Sequence, residues 1–565
     1  MPKLRPHPLD ALWLIGLPGL LLMFVTLRGW PESERIDWLM RWSGSFLTAT
    51  TLLLVIGSIL VARSLAAPIR ARLPGRTILL LPLLFIGGTL TTATIAPQTH
   101  RIFYDETIYL NIGQNLALLD RAQLCNAGGT EHGQFRCDYP EYNKQPNGYP
   151  FLTSLLFRLV GVSERVAFYL NNGLLGCMAV AALLFTLALG GSWRAGLSAG
   201  LVMILNPQNL HWFNTTAAEP AAALFGALSI GAALLTRARP NPTTWLLVTA
   251  ATALAVTFRP ESPLLAPLLL FMLWRPIARQ PRAFLLALLL LALLTLPHAL
   301  HLDLFRNHPW GNSEASFGFK HLLPNLTSNG LHYLDNRHFP LPVTLAALLG
   351  LLTTRIAASH RLLLLAWFLL FWGVFLFFYA GSYGYGADIR FSLLSALPLA
   401  LLAGFGVEWS LGQLTRRFAL DTPTATTLLV TLIVAAHLPF LPQARATTIE
   451  ASAARADVAF ARQMAERLPD DAFVLTHNPN LFQLWGKQAG QLFLIDHQPD
   501  YLNRILFARH RGGIYFHDNF WCQVPDPTQN RYCHLVRQRY DLEPIATFEA
   551  EKQHFGLYRL HIKKQ

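Results

Sequence analysis

The chain has 565 residues, of which 53% are hydrophobic and only 14% are charged. A soluble protein carries about 25% charged residues, so this composition excludes an ordinary soluble enzyme. The formal net charge of +13 does not indicate nucleic-acid binding, because the arginines cluster in short loops between apolar segments, the pattern that sets membrane topology. We therefore expect a polytopic α-helical membrane protein, in contact with membrane lipids and with no nucleic-acid partner.

Apolar runs long enough to cross a bilayer recur along the first three quarters of the chain. We predict about thirteen transmembrane helices, with centres near residues 19, 50, 87, 177, 202, 227, 250, 268, 291, 347, 370, 399 and 432. The segment TFRPESP interrupts the runs near 250 and 268. The first run lacks a convincing cleavage site and another follows closely, which favours an uncleaved helix over a signal peptide.

Arginine-rich loops predict the sidedness of these helices. The loops expected in the cytoplasm contain Arg63, Arg70, Arg72 and Arg76; Arg237 and Arg239; Arg275, Arg279 and Arg282; and Arg416 and Arg417. Alternation then places the N-terminus in the cytoplasm and residues 97–163, 302–339 and everything after about 442 outside. For a bacterial cell this means the inner membrane, with a periplasmic or otherwise external C-terminal region.

The first external loop opens with two adjacent acids, Asp105 and Glu106. Apolar residues recur at helical spacing over residues 106–120, which predicts an amphipathic helix lying along the membrane surface. Asp105 begins this helix, and Asp is a good N-cap. A cap explains an acid before a helix but not its position directly after a span, so we interpret Asp105 as a catalytic carboxylate that can also cap.

Two further external segments hold charged residues close to the spans. Lys144 stands among the turn formers of NKQPNGYP, where the alternative to a functional role is an interfacial lysine whose side chain extends to the membrane surface. In NPQNLHWFNTTAAEP, Pro220 fixes Glu219 where the next helix begins. Because a carboxylate deep in a bilayer costs several kcal/mol, we expect Glu219 at the surface or in an aqueous cavity. His211, in the same segment, is an interfacial aromatic or a ligand.

Two arginines lie near outer span ends, Arg259 in TFRPES and Arg390 in YGYGADIRFSLL. Asp388 comes two residues before Arg390 and can cap the following helix. The alternative for Arg390 is a surface ion pair with Asp388, worth under about 1 kcal/mol.

The cysteines support the same sidedness. Cys125 and Cys137 share one external loop, Cys522 and Cys533 share the external tail, and Cys177 stands alone in a span. We expect two disulfides, which belong to oxidising compartments. Free thiols are the alternative, and neither pair has the spacing of a zinc site. We expect the first disulfide to brace residues 121–140, between the helix and the Lys144 turn.

The tail has a different composition. The segment ASAARADVAFARQMAERLP predicts a helix, and DAFVLT, QLFLID, GGIYFHD and HFGLYRLHI predict strands. We therefore divide the chain into residues 1–76, two helices and a cytoplasmic loop; residues 77–445, a catalytic membrane region; and residues 446–565, a small external α/β domain with a structural or acceptor-docking role.

Several segments in order resemble the GT-C superfamily of membrane glycosyltransferases, in particular the bacterial relatives of protein O-mannosyltransferases and the lipid A aminoarabinose transferases. The matching segments are YDETIY, NKQPNGYP, GVSERVAFYLNN, NPQNLHWFNTTAAEPAAALFGALSIGAALL, VTFRPESPLLAP and ADIRFSLLSALPLALLAGFG. Together they cover about residues 77–410. In aminoarabinose transferases an acid directly precedes the lysine. Here Asn143 does, and Glu141 is the nearest acid.

The resemblance implies an inverting glycosyltransferase that moves a sugar from a polyprenyl-phosphate donor to a glycan, lipid or protein hydroxyl on the external face. An acceptor hydroxyl needs a base as it attacks, a role that fits Asp105. The departing phosphate needs cationic partners, which fits Lys144, Arg390 and Arg259. Glu106 and Glu219 can orient the acceptor or bind a divalent cation such as Mg²⁺ or Mn²⁺, and Glu141 and His211 are further candidates.

Two functions of other classes remain open at this point. A transporter or flippase for lipid-linked sugars is the main alternative, although the sequence has no half-to-half repeat and its charges fall in external loops. A non-catalytic assembly or receptor protein is the other. Neither the sugar nor the acceptor can be inferred from the sequence.

Overall fold

The structure, a computed structural model, describes residues 10–73, 75–306, 317–500, 502 and 506–563. The chain divides into two units. The membrane unit comprises residues 1–98 and 168–446, and the sheet unit comprises residues 99–167 and 447–565. The sheet unit therefore draws on both the first long loop and the C-terminal tail.

Helices account for most of the described chain. The α-helices are α1 (Asp10–Arg28), α2 (Glu32–Arg72), α3 (Leu80–Ile95), α4 (Asp105–Leu119), α5 (Gly148–Val160), α6 (Glu164–Ala188), α7 (Trp193–Leu205), α8 (Pro207–Trp212), α9 (Glu219–Ala238), α10 (Pro242–Ala255), α11 (Leu265–Arg279), α12 (Pro281–Phe305), α13 (Leu322–Leu334), α14 (Leu341–Leu352), α15 (Ala358–Val374), α16 (Leu393–Phe418), α17 (Thr422–His437), α18 (Ser452–Arg467), α19 (Pro479–Leu484), α20 (Leu494–His497), α21 (Phe507–Arg509) and α22 (Pro527–Arg539). Short 3₁₀ helices cover Gly75–Leu79, Ser262–Leu264, Phe319–His321, Phe375–Phe377, Asp388–Ser392, Leu438–Arg445 and Phe520–Cys522.

The predicted multi-pass membrane architecture is confirmed. Within the described ranges, nine helical segments are long and apolar enough to cross a membrane. All thirteen predicted centres fall in helices, and those near 202, 250, 268 and 347 lie in α7, α10, α11 and α14, which have only 12 to 15 residues. The TFRPESP interruption falls between α10 and α11, as predicted. Of the segment 302–339, residues 307–316 lie outside the described residues.

Close helix packing in the membrane unit depends on small residues. A Cβ atom on Gly350 of α14 would lie 1.8 Å from the carbonyl oxygen of Leu402 in α16, and one on Gly406 would lie 1.8 Å from that of Ala346. Glycine lets the two backbones approach at this distance, as is common between membrane helices. The arginine-bearing segment after residue 60 is not an open loop, because α2 remains helical to Arg72.

The sheet unit contains one seven-stranded mixed sheet. Its strands are β1 (Leu124–Glu131), β2 (Gln134–Glu141), β3 (Phe473–Thr476), β4 (Gln488–Gln491), β5 (Ile514–Asp518), β6 (Tyr540–Ala550) and β7 (Gln553–Ile562). Their spatial order is β2-β1-β4-β3-β5-β7-β6. The pairs β3–β4 and β3–β5 are parallel, and the other neighbours are antiparallel. The loop hairpin β1–β2 thus extends the sheet of the C-terminal tail.

Predictions for the tail are confirmed in part. The helix over residues 451–469 is α18, and three of the four predicted strands correspond to β3, β5 and β7. The strand predicted at QLFLID is wrong: β4 ends at Gln491, and residues 494–497 form a helical turn. Leu492, Leu494 and Ile495 are fully buried. A short, fully buried apolar run lacks the alternation that separates strand from helix.

Two disulfides are present, as predicted. One joins Cys125 to Cys137 across the β1–β2 hairpin, and the other joins Cys522 to Cys533, with Cα–Cα distances of 5.6 Å in both. The first lies within the 121–140 segment that it was expected to brace. Crosslinks that close loops of about a dozen residues contribute roughly 3 kcal/mol at best to the stability of the folded chain.

Replacing Gly129 by alanine tests the addition of the hairpin to the sheet. A Cβ atom there would lie 2.5 Å from the carbonyl oxygen of Lys487 and 2.6 Å from the Cα of Gln488, and φ is +152°. We expect Gly129→Ala to separate β1 from β4 and to destabilise the protein by about 1–3 kcal/mol. Thermal unfolding and limited proteolysis of residues 121–141 measure this. Gly133→Asn, in open space at the hairpin turn, is the control, and equal behaviour of the two variants would contradict the placement.

Candidate active site

The membrane unit contains a buried cluster of charges, the Glu219 cluster: Glu219, Glu261, Arg259, Asp388 and Arg390. Glu219 is fully buried at the first position of α9. Its Oε1 atom accepts hydrogen bonds from Arg259 Nη1 at 2.8 Å and from Arg390 Nε at 2.9 Å. Breaking such a buried pair is costly, because a charge is then left without compensation. The structure thus brings together three of the residues predicted for the site.

Each guanidinium in this cluster has a second acidic partner. Arg259 Nε donates to Glu261 Oε1 at 2.9 Å, and Arg390 Nη1 donates to Asp388 Oδ1 at 3.1 Å. Both guanidinium carbons also lie over the Phe391 ring, 5.3 and 4.5 Å from its centroid. The pair of Arg390 with Asp388 expected from the sequence is therefore present, but it belongs to a buried network and not to the protein surface.

Asparagine side chains hold the segment that precedes Glu219. Asn171 Nδ2 donates to the carbonyl oxygens of Thr215 and Ala217 at 2.8 and 3.0 Å. Asn172 Nδ2 donates to the Phe213 carbonyl and to Asn214 Oδ1, both at 2.9 Å. These bonds satisfy backbone groups of a buried, irregular stretch. Asn171 and Asn172 end the segment GVSERVAFYLNN, and nothing in the sequence pattern predicts this role for them.

His211 lies in the short helix α8, directly before the same stretch. Its residue is 7% exposed, and its ring contacts the Trp212 ring with centroids 5.4 Å apart. This surrounding fits the interpretation of His211 as an aromatic packing residue. The role of ligand stays a prediction.

In the sheet unit, Glu106 is a buried carboxylate that organises the loop before α4. Its Oε2 atom accepts the backbone N–H groups of Arg101 at 2.5 Å and Ile102 at 3.0 Å. Its Oε1 atom lies 3.6 Å from His100 Nδ1, and His100 Nε2 lies 3.7 Å from Glu164 Oε2. His100 thus lies between two carboxylates, and neither His100 nor Glu164 was predicted from the sequence.

The electrostatics of this group favour an imidazolium ion at His100. Burial lowers the pKa of His100. The hydrogen bonds to Glu106 and Glu164, together with the negative charges of these two residues, outweigh burial and raise the pKa to about 10. Burial raises the pKa of Glu106, but His100 and the two backbone donors lower it below its ordinary value. Glu106 is therefore ionised and already fully occupied by donors at neutral pH.

Asp105 is the first residue of α4 and is half-buried. The N-cap position belongs to Tyr104, whose side chain makes no capping bond. Its hydroxyl instead donates to Asp457 Oδ2, and Asp457 Oδ1 lies 2.9 Å from His517 Nε2. Tyr104, Asp457 and His517 are all buried, so Tyr104 anchors the start of α4 to the C-terminal part of the unit. The anchor leaves the neighbouring Asp105 with a defined backbone position.

The helix α4 is present as predicted, but it does not have a solvated polar face. Ten of its fifteen residues are buried. Asn111 and Gln114 hydrogen-bond to Gln483 of α19, and the Asn111 Oδ1 atom accepts the backbone N–H of Cys125. The polar residues of α4 are therefore paired with other groups inside the unit. In the sequence pattern they look like the solvated face of a surface helix, because these partners are not visible there.

Lys144 is half-buried in the turn between β2 and α5. The Tyr109 hydroxyl, one helical turn after Asp105, donates to Gln145 Oε1 at 3.0 Å. Since Gln145 follows Lys144 directly, this hydrogen bond joins helix α4 to the Lys144 turn within the sheet unit. Glu141, at the end of β2, is exposed, and its carboxylate accepts a hydrogen bond from Asn126.

Two of the acids proposed to bind Mg²⁺ or Mn²⁺ are engaged by other partners. Hard cations need several oxygen ligands, whereas Glu106 is occupied by N–H donors and Glu219 by two guanidiniums. Among the described residues, His477, Cys522 and Cys533 have ligand atoms close enough to hold a metal, but the two cysteines are bonded to each other. A requirement for Mg²⁺ or Mn²⁺ stays a prediction.

The sequence matches no protein-family profile and no curated relative. Two crystal structures of ArnT from Cupriavidus metallidurans share this fold at 13% sequence identity: the apo state has a TM-score of 0.51, with 86% of this chain and 98% of that chain covered. The ArnT complex with undecaprenyl phosphate has a TM-score of 0.50, with coverages of 84% and 97%.

A third similar structure is the oligosaccharyltransferase of Archaeoglobus fulgidus, in complex with Zn and sulfate, at 11% identity, TM-score 0.45, and 84% and 73% coverage. The chain thus shares the fold of the two ArnT structures.

We expect Glu219→Gln to destabilise the protein by on the order of 3 kcal/mol, because the buried guanidiniums lose their shared counter-charge. Thermal unfolding of the purified protein in detergent measures this. Glu261→Gln is the matched control, since Glu261 pairs with one guanidinium, that of Arg259, among the described residues and is 11% exposed at its side chain. If Glu219→Gln unfolds like the wild type, the charge pairing at Glu219 is not structural.

The His100 group predicts a pH dependence of stability. The folded-state pKa of about 10 lies above the ordinary value of 6.5. Its stabilisation is therefore complete below pH 6.5 and is lost as the pH rises towards 10. The unfolding temperature of the wild type should fall between pH 7 and 10, and that of His100→Gln should be lower at pH 6.5 and fall less. His534→Gln, on an exposed face of α22, is the control. Parallel pH profiles for wild type and His100→Gln would contradict the assignment.

Proposed function

We propose that the protein is an inverting glycosyltransferase that uses a polyprenyl-phosphate sugar as donor and an external hydroxyl as acceptor. One observation carries the proposal: helix α4, which begins at the half-buried Asp105, is joined to the Lys144 turn by the Tyr109–Gln145 hydrogen bond, on the fold of a membrane glycosyltransferase. The ArnT structure with undecaprenyl phosphate supports the choice of donor class. The sugar is a hexose or a pentose.

In the proposed reaction, Asp105 accepts the proton of the acceptor hydroxyl as its oxygen attacks the anomeric carbon. The bond between that carbon and the phosphate oxygen breaks, and the lipid phosphate leaves with the electron pair. Attack opposite to the leaving group inverts the anomeric carbon. Lys144, Arg390 and Arg259 carry the charge that stabilises the departing phosphate.

The Glu219 cluster supports a role for its arginines in this scheme. Both guanidiniums are 13% exposed at their side chains and are fixed by acids and by the Phe391 ring. Such preorganisation removes the reorganisation that charge stabilisation otherwise requires. We place the protein in a bacterial inner membrane, with the N-terminus cytoplasmic and the sheet unit on the external side, where the acceptor would be a glycan, a lipid or a protein.

Asp105→Asn tests the proposed base. We expect transfer to fall by at least about 10²-fold, since general bases contribute about 10²–10⁴-fold, while folding and membrane insertion remain normal. The measurement is conversion of radiolabelled undecaprenyl-phosphate hexoses and pentoses by protein in proteoliposomes, with envelope extract as acceptor. Asp120→Asn, at the exposed opposite end of α4, is the matched control.

Turnover by Asp105→Asn close to wild type would remove the proposed base. Movement of the intact donor across the membrane, with no covalent product from the wild type, would overturn the proposed function in favour of a flippase.

A further inference from the structure

The sheet unit contains a cavity of about 590 Å³ that the proposed chemistry does not use. Its walls come from the end of β2, from the chain after β3, from the stretch joining β4 to α20, and from α22. This volume lies in the range of about 300–1,000 Å³ that is typical of small-molecule sites. All of the described lining residues belong to the sheet unit.

Aromatic rings form one side of the cavity. Tyr139 contacts Phe493 edge-to-face with ring centroids 5.2 Å apart, Phe493 contacts His497 at 5.5 Å, and His497 reaches Tyr532 at 6.4 Å. Tyr139 is 38% exposed, and Phe493 and Tyr532 are partly buried. Rings placed in this way offer apolar area at low conformational cost to a ligand that enters the cavity.

Polar groups with fixed positions line the remainder. Glu141 is held by Asn126, and the Asn519 Oδ1 atom lies 3.1 Å from His477 Nδ1. Thr528 receives its position from its bonds to the Asp526 carboxylate at the start of α22. Gln491, at the end of β4, adds an amide that can donate and accept. These side chains are therefore oriented before a ligand arrives.

The chemistry of the lining selects one ligand class. Among the described residues that line the cavity, none is lysine or arginine, and Glu141 is an acid, which disfavours phosphates and other anions. An entirely apolar ligand would leave the polar groups without partners, which is costly. A saccharide satisfies both walls, because its C–H faces contact rings while its hydroxyls hydrogen-bond to amide, hydroxyl, imidazole and carboxylate groups.

The position and stiffness of the cavity connect it to the proposed reaction. Glu141 precedes Lys144 by three residues, so their Cα atoms lie within about 11 Å. Cys137 comes two residues before Tyr139, and Cys533 follows Tyr532. One disulfide therefore ends close to Tyr139 and the other next to Tyr532. His477 Nδ1 lies 4.0 and 3.9 Å from the sulfurs of Cys522 and Cys533. Rigid walls reduce the entropy lost on binding.

We propose that this cavity binds a saccharide unit of the acceptor, away from the hydroxyl that reacts. The proposal rests on the proposed function and specifies its acceptor as a glycan. Contacts to a part of the acceptor that does not react increase the affinity for both the ground state and the transition state. Changes in the cavity should therefore raise the KM for the acceptor and leave kcat nearly unchanged.

The first test measures binding without any reaction. The full-length protein in nanodiscs is titrated with defined methyl glycosides and neutral oligosaccharides, with saturation-transfer NMR as the readout. We expect at least one saccharide to bind, and Phe493→Ala to weaken it by about tenfold, which corresponds to about 1.4 kcal/mol. Phe548→Ala, an exposed ring on β6 outside the cavity, is the control. Gln491→Ala gives a second variant that removes only a polar group, in case Phe493→Ala fails to fold.

The outcomes separate this inference from the proposed function. Saccharide binding that is weakened by Phe493→Ala and Gln491→Ala but not by Phe548→Ala supports it. No saccharide binding, or binding unaffected by both cavity variants, overturns it even if glycosyl transfer is observed. The inference is also overturned if serine- and threonine-containing peptides bind in place of saccharides and the cavity variants weaken that binding. A failure of the proposed function would instead appear as an absence of transfer while saccharides still bind.

Discussion

The buried carboxylate of Glu219 accepts hydrogen bonds from two guanidiniums, and the arrangement of the membrane unit depends on keeping this charge paired. An uncompensated ion in a protein interior costs several kcal/mol. The start of α9, the interruption at TFRPESP and the 3₁₀ turn Asp388–Ser392 must therefore converge. Irregular backbone inside a membrane protein is stable only where protein or water surrounds it. Here the charged residues of the Glu219 cluster lie in or next to the irregular segments.

The sheet unit follows the same rule with different residues. Glu106 closes the loop before α4 by accepting two backbone N–H groups, and His100 supplies the charge that makes its burial tolerable. On the other side of Asp105, Tyr104 is anchored to Asp457. Asp105, the residue we propose as the base, thus lies between two residues whose side chains are each fixed by buried partners. Support of this kind holds a side chain in the position that catalysis requires.

The helical architecture could be predicted from the sequence, because long apolar runs have few alternative structures. Glu219, Arg259 and Arg390 could be selected as site residues, because charged residues close to membrane spans are costly and therefore indicate a function. It did not predict β1, whose sequence LCNAGGTE lacks alternation because its glycines allow β4 to approach closely. It also did not predict β6, where Pro544 is tolerated only because the strand lies at the edge of the sheet. His100 pairs with Glu164, and Asp457 pairs with Tyr104. Periodicity cannot reveal such pairs, because the partners are distant in the chain.

We propose that the arginine side chains held by Glu219 bind the phosphate of a lipid donor. Native mass spectrometry of the purified protein with undecaprenyl phosphate measures this binding. We expect the wild type to retain one lipid phosphate per chain and Arg390→Gln to weaken this retention by about tenfold or more, the effect of losing one charge-assisted contact of about 1.5–3 kcal/mol. Arg239→Gln, an exposed arginine just after α9, should bind like the wild type. Equal retention by wild type and Arg390→Gln would show that Arg390 does not bind the lipid phosphate.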